Sequence, residues 1–230
     1  MWGILLFDFA SAWEEVADVV SERDAVIQGE RRLSYQAFDN AAARFATALD
    51  VAGVPEGGKV ALYLYNCPEY LIAQYGAFKH RGVPVNVNFR YLDDELVYLL
   101  ENSDAEVLVF HSSLSPCVSR VRDQLSNVRL LVEVDDGGPH LEGAQRYADL
   151  LEANLPQVRQ QRSPEDLYML YTGGTTGMPK GVMFPQGEFI EALFAGLLTL
   201  GLITSIPSDR AGLRALVKGC TASGPDVNIS

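Results

Sequence analysis

Val60-Ala61-Leu62-Tyr63-Leu64, then Pro68-Glu69-Tyr70, then Val83-Pro84-Val85-Asn86-Val87 follow one another within a short run of the chain, and their order decides the fold. Gly57-Gly58 breaks the chain before the first of them. The first and third stretches are short, apolar and rich in Val and Leu, as strands buried on both faces are. Pro68 suits the first turn of a helix, where its missing N–H costs nothing. That helix is expected to end near His80-Arg81-Gly82. Strand, helix, strand in this order is the unit that builds a parallel sheet.

The alternation extends in both directions. Downstream, residues 93–102 read as a helix, 107–110 as a strand, 116–125 as a helix and 130–134 as a strand. Upstream, Ser11 is expected to cap a short helix carrying Trp13, Val16, Val19 and Val20. Residues 24–33 read as a hairpin turning at Gln28-Gly29-Glu30. Ser34 then caps a helix whose Phe38, Ala41, Ala42, Phe45, Ala46 and Leu49 share one face. The fold class expected is α/β, with layered, largely parallel sheets flanked by helices. In such sheets ligands sit at the C-terminal ends of the strands.

One loop lies where a ligand would. Residues 171–183 read Tyr-Thr-Gly-Gly-Thr-Thr-Gly-Met-Pro-Lys-Gly-Val-Met, between an apolar run at 167–171 and another at 182–184. Gly173, Gly174 and Gly177 let the main chain approach a ligand closely, and successive backbone N–H groups in such a turn make an anion-binding concavity. Thr172, Thr175 and Thr176 add hydroxyl donors. Lys180 adds a mobile point charge suited to phosphate, and Pro179 stiffens the exit. The loop is not a Walker A sequence, because Pro179 precedes Lys180 and Gly181 follows it. Nor is it the dinucleotide fingerprint, since Thr175 stands where that pattern needs glycine. A Gly/Thr-rich surface turn without a ligand is the alternative.

The order of residues in this loop resembles the phosphate-binding signature of the adenylate-forming (AMP-dependent) synthetase and ligase superfamily, specifically acyl-CoA synthetases. The stretches Arg32-Leu33-Ser34-Tyr35-Gln36-Ala37-Phe38, residues 59–70, Ala77-Phe78-Lys79 and residues 83–91 are similar to that family as well. The resemblance implies that a carboxylic acid, a fatty acid in the first instance, attacks the α-phosphate of ATP to form an acyl-adenylate, with pyrophosphate leaving. Coenzyme A then displaces AMP to give a thioester. By the same resemblance Thr172, Gly173, Gly174, Thr175, Thr176, Gly177 and Lys180 hold the ATP phosphates, with Mg2+ accompanying them. It also implies an incomplete N-terminal domain of the adenylate-forming fold over residues 10–206 and a divergent C-terminal tail over 207–230.

Other family segments have no counterpart here. No aromatic-Gly-x-Thr-Glu or Thr-Gly-Asp string follows the loop, and Lys218, the only lysine after Lys180, sits in an unrelated setting. Where many relatives place a histidine after the loop, Pro185, Gln186 and Gly187 stand. No catalytic residue is therefore assigned. The chain is expected to lack parts needed for full turnover, and a noncatalytic ATP-binding or interaction fragment is the second reading.

Composition sets the outer bounds. With 230 residues, 48% hydrophobic and 21% charged, the chain is globular. Its formal charge of -12 argues against nucleic acid or anionic membrane as a partner. Cys67, Cys117 and Cys220 form no CxxC pair or zinc spacing, which suits a reducing, cytoplasmic setting, and no metal site is expected. His80, His111 and His140 are scattered. Tyr63, Tyr65, Tyr70 and Tyr75 read as packing residues rather than a substrate wall. Residues 135–162 are the least periodic, with a helix expected at 145–153. The apolar stretch 192–206 is shorter than the ~20 residues needed to span a bilayer, so it reads as a buried helix. Residues 221–230 read as a frayed tail.

Overall fold

Val60 and Leu62 enter one hydrophobic core, while Ala61 and Tyr63, between and beside them, enter another. That alternation is what a strand covered on both faces requires. It shows in a computed structural model that describes residues 7–172 and 178–223. The central strand is β3 (Lys59–Tyr63), with α3 (Pro68–His80) and β4 (Val83–Asn86) after it. Before it come α1 (Phe9–Val19), the antiparallel hairpin β1 (Asp24–Gln28) and β2 (Arg31–Ser34), and α2 (Tyr35–Val51). Beyond it lie α4 (Asp93–Asn102), β5 (Ala105–His111), α5 (Ser115–Val121) and β6 (Leu130–Val134). The chain continues through β7 (Gln145–Arg146), α6 (Tyr147–Ala153), β8 (Leu167–Thr172), β9 (Lys180–Pro185), α7 (Gln186–Thr199) and α8 (Arg210–Ser223).

Seven strands form one sheet in the order β7-β6-β5-β3-β4-β8-β9. Every neighbouring pair is parallel except β8 and β9, which form an antiparallel hairpin at the edge. Residues from α2, α3 and α6 fill the core on one face, and residues from α4 and α5 fill it on the other. On the first face α2 and α3 pack so closely that a Cβ on Gly76 would lie 2.7 Å from Phe45 Cδ1. The parallel strands all end on the same edge of the sheet, so Tyr65, His111 and Thr172 lie along it.

Local expectations hold at many points. Ser34 Oγ accepts from Ala37 N at 3.2 Å and caps α2. Pro68 opens α3, and Arg81 closes it in the left-handed region at φ 67°. Tyr63 is buried, and its hydroxyl donates to the Tyr91 carbonyl at 2.6 Å. Several expectations need correction. The cap of α1 is Asp8, not Ser11: the Asp8 carboxylate accepts from Ser11 N at 2.8 Å. The helix expected from 116 to 125 ends at Val121 and tightens into a 3-10 turn at Arg122–Gln124. Gln145 and Arg146 are a short strand on β6 rather than the start of α6.

The fourth correction concerns burial. The apolar stretch 192–206 does begin as a helix, but most of that helix is not buried. Among the described residues of α7 only Gln186, Gly187 and Ile190 are buried. Leu193, Leu197 and Leu198 are exposed, as are Leu200 and Leu202 beyond its end. Hydropathy reports a preference for burial, and no described element lies over this face to satisfy it.

Beyond Ser208 the chain forms α8 through Ser223, so residues 221–223, expected in a frayed tail, are helical instead; residues 224–230 lie outside the described residues. Leu213 buries against Phe7 and Ile190. The Arg214 guanidinium pairs with Glu15 and, at 3.0 Å, with Asp18, so α8 docks on α1.

Candidate functional site at the β8–β9 hairpin

The hairpin is built from β8, a strand inside the sheet, and β9, the strand at its edge. Their register runs from Leu167 opposite Pro185 to Thr172 opposite Lys180, which is the last pair before the loop. Directly paired residues project to the same face of a sheet. Thr172 and Lys180 are therefore neighbours, and both are exposed. Gly173, Gly174, Thr175, Thr176 and Gly177 lie outside the described residues. The structure thus brings together the first and last of the expected phosphate-binding residues, on the strand-end edge.

The stem beneath them is pinned from four directions. Arg81 Nε and Nη2 hold the Asp166 carboxylate at 2.9 and 2.8 Å, just ahead of β8. Gln186, buried at the start of α7, accepts from Phe9 N at 3.0 Å and donates to the Leu167 carbonyl at 3.4 Å. Phe184 and Tyr168 pack edge-on against Phe189. On the opposite face the Tyr171 ring covers Gly181, where a Cβ would lie 2.9 Å from Tyr171 Cε2.

Three residues that the sequence reading left without a role also hold the stem. Asn86 Oδ1 accepts from Tyr171 N at 2.7 Å, and Asn86 Nδ2 donates to the Tyr171 carbonyl at 3.2 Å. Asn102 Oδ1 accepts from the Tyr171 hydroxyl at 2.7 Å. The Tyr98 hydroxyl donates to the Pro179 carbonyl at 3.2 Å. Only Asn86 carried a signal: it is the one polar residue between Val83 and Val87.

Further back, a buried ionic cluster fixes the segment leading into β8. Lys79 Nζ lies 2.6 Å from Glu14 Oε1 and 2.7 Å from Asp39 Oδ1. Arg162 Nη2 lies 3.0 Å from the same Glu14 oxygen, and Arg162 Nε donates to the Lys79 carbonyl at 3.0 Å. Burial pushes the Glu14 carboxyl up, but the Lys79 and Arg162 cations outweigh it and hold the group below its ordinary value.

Elsewhere on the strand-end edge His111 is buried, and its Nδ1 accepts from Tyr65 N at 3.1 Å. Burial pushes this imidazole down. Tyr65 packs against His111 with the rings tilted and meets Phe89 edge-on. All three cysteines are free thiols. Among the described residues no group of three or more His, Cys, Asp or Glu side chains is placed to hold a metal ion.

A glycine- and threonine-rich segment joins β8 and β9 at the strand-end edge of a parallel sheet, and comparison with known proteins identifies the family. A profile of the family described as AMP-binding enzyme matches residues 13–210. The chain belongs to this family. It is 36% identical to the medium-chain acyl-CoA ligase Mig of Mycobacterium avium, over 97% of its own length and 42% of the relative's. It is 37% identical to a medium/long-chain-fatty-acid and 3-oxocholest-4-en-26-oate CoA ligase of Mycolicibacterium smegmatis, over 84% of its own length and 36% of the relative's. The chain thus spans less than half the length of these AMP-binding relatives.

Solved structures agree on the fold. The anthranilate CoA ligase AuaEII, in complex with anthranoyl-AMP, superposes with a TM-score of 0.77 at 24% identity, covering 84% of this chain and 38% of that one. The inhibitor-bound N-terminal domain of FACL13 from Mycobacterium tuberculosis superposes with a TM-score of 0.67 at 26% identity, covering 78% of this chain and 44% of that one. Among the described residues no helix is long and apolar enough to cross a membrane.

Proposed function

We propose that the β8–β9 hairpin holds the phosphates of ATP in an acid–CoA ligase that activates a carboxylic acid, a fatty acid in the first instance. The observation that carries this reading is the pairing of Thr172 with Lys180 at the strand-end edge of a parallel sheet. A hydroxyl and an ammonium side by side, joined by a glycine- and threonine-rich loop, form a donor set for a polyphosphate. The names of the relatives, medium-chain and medium/long-chain fatty-acid CoA ligases, support the choice of acid class. The acyl-adenylate bound to one structural neighbour supports the order of steps.

In this reading Thr172, Gly173, Gly174, Thr175, Thr176, Gly177 and Lys180 hold the triphosphate. A carboxylate oxygen attacks the α-phosphorus, the bond to the bridging oxygen breaks, and pyrophosphate leaves with both electrons. Negative charge grows on that leaving group, so fixed N–H dipoles and the Lys180 ammonium stabilise the transition state. CoA sulfur then attacks the acyl carbon and AMP leaves. Mg2+ is assigned no protein ligand; accompanying the nucleotide phosphates, it would neutralise part of their charge. The free thiols favour a cytoplasmic setting.

The test is ATP binding with Mg2+, alongside ATP–pyrophosphate exchange with a panel of carboxylic acids, in the wild type and in Lys180→Ala. Exchange that vanishes in Lys180→Ala supports adenylation by this chain. A second reading, nucleotide binding without catalysis, is favoured by the share of its relatives that the chain spans, 42% and 36%. Binding without exchange supports that one. No ATP binding at millimolar concentration overturns both.

A further inference from the structure

The β8–β9 hairpin is held at both ends by side chains that no phosphate-loop signature contains, and their geometry is specific. The backbone ladder between β4 and β8 has a single pair, Val85 with Met169. Two residues on, the Tyr171 N–H and C=O have no β4 main-chain partner in that ladder. The Asn86 side chain takes both, accepting from the N–H at 2.7 Å and donating to the C=O at 3.2 Å. A carboxamide can accept and donate side by side in this way, which an ionised carboxylate cannot.

The return arm is held from α4. Tyr98 and Asn102 stand four residues apart, hence on one face of the helix. Tyr98 donates to the Pro179 carbonyl, one peptide before Lys180, and Asn102 accepts from the Tyr171 hydroxyl, one residue before Thr172. One helix face and one strand-end amide therefore fix the two points from which Thr172 and Lys180 spring.

We propose that Asn86, Tyr98 and Asn102 are positioning residues that clamp both arms of the hairpin, presetting the distance between Thr172 and Lys180 for a polyphosphate. The proposal rests on the reading of the hairpin as an ATP site. Ordering Thr172 and Lys180 around a ligand costs conformational entropy, and holding the two arms beforehand removes part of that cost from the binding step. The clamp therefore acts on affinity and on local opening more than on global stability.

The experiment uses Tyr98→Phe and Asn86→Asp, with Tyr168→Phe as a comparison. Tyr168 lies on β8 with Tyr171, and its hydroxyl accepts from Gln74 Nε2 at 2.9 Å, away from the loop ends. Two quantities are read on each whole protein: ATP affinity with Mg2+, and amide hydrogen exchange across residues 171–182 without nucleotide. Tyr98→Phe is expected to speed exchange in that segment and weaken ATP binding, each about 5- to 10-fold, the factor that one hydrogen bond represents. Its melting temperature should stay close to that of Tyr168→Phe. Asn86→Asp keeps the acceptor and loses the donor, so it should show the same pattern, weakened further by like charge against phosphate. Unchanged exchange in Tyr98→Phe and Asn86→Asp overturns the clamp. Faster exchange with unchanged ATP affinity overturns its positioning role. A wild type that binds no ATP removes the nucleotide reading itself, and that failure is visible before any variant is made.

Discussion

Thr172 and Lys180 face each other across the last rung of the β8–β9 ladder. The rung places a hydroxyl and an ammonium at the two ends of the loop as cross-strand neighbours. Lys180→Ala removes the ammonium, and the loss expected is roughly 10- to 100-fold in ATP affinity, the range for a hydrogen bond to a charged group. Thr172→Val keeps the strand-favouring shape and removes a neutral donor, so its loss should be smaller. Titration calorimetry at two salt concentrations checks both, since the Lys180 contribution should shrink as salt rises. Equal affinities for wild type and Lys180→Ala would sink the assignment.

Gly181 and Gly196 are predicted to respond to alanine with opposite signs. A Cβ at Gly181 would stand 2.9 Å from Tyr171 Cε2 and 3.0 Å from Cζ, and that ring is buried and bonded to Asn102. Gly181→Ala should therefore destabilise by about 1–3 kcal/mol through overpacking. Gly196 lies inside α7 with nothing within 4 Å of its Cβ position. Gly196→Ala should stabilise by about 0.5–1 kcal/mol by helix propensity. Urea midpoints of the two variants decide the matter, and shifts of the same sign contradict it.

The parallel sheet was legible because each of its central strands is a short apolar run, and the hairpin because its loop has a specific order of residue types. The Glu14, Lys79 and Arg162 cluster was not, because its members lie 65 and 148 residues apart and each looks like an ordinary surface charge. The α8 helix was hidden by its Gly/Ser/Thr content, although Leu213 and Val217 stand at helical spacing beside Arg210 and Arg214. What fixes it is long-range: Leu213 against Phe7, and Arg214 against Glu15 and Asp18. The Asn86 clamp needed the register of β4 on β8, which no local pattern encodes.

Glu14 should govern part of the acid stability. It is 2% exposed and bonded to Lys79 and Arg162. Its pKa is held below the ordinary 4.5, burial working against the two cations that win. The stability it contributes is fully present above about pH 4.5 and is lost as pH falls through the lower folded value. Glu14→Gln leaves two buried cations short of a partner and should cost about 3 kcal/mol at neutral pH. That difference should narrow as pH drops below 4.5. Parallel stability curves for wild type and Glu14→Gln from pH 7 to pH 3 would contradict the linkage.

The exposed apolar side chains of α7 and β9 should make the chain self-associate. Val182 is 41% exposed, Met183 58% and Leu200 74%. Leu193, Leu197, Leu198 and Leu202 are exposed as well. β9 is also an edge strand, with main-chain groups on its outer side open to another strand. Large apolar side chains exposed in this number favour association. Sedimentation velocity at micromolar concentrations should show weight-average mass rising with concentration. Leu193→Glu combined with Leu200→Lys should return the chain to monomer, and at these exposed sites should change unfolding free energy by no more than about 0.5 kcal/mol per site. A wild type that stays monomeric across that range would mean that the leucines of α7 are tolerated in water as they stand.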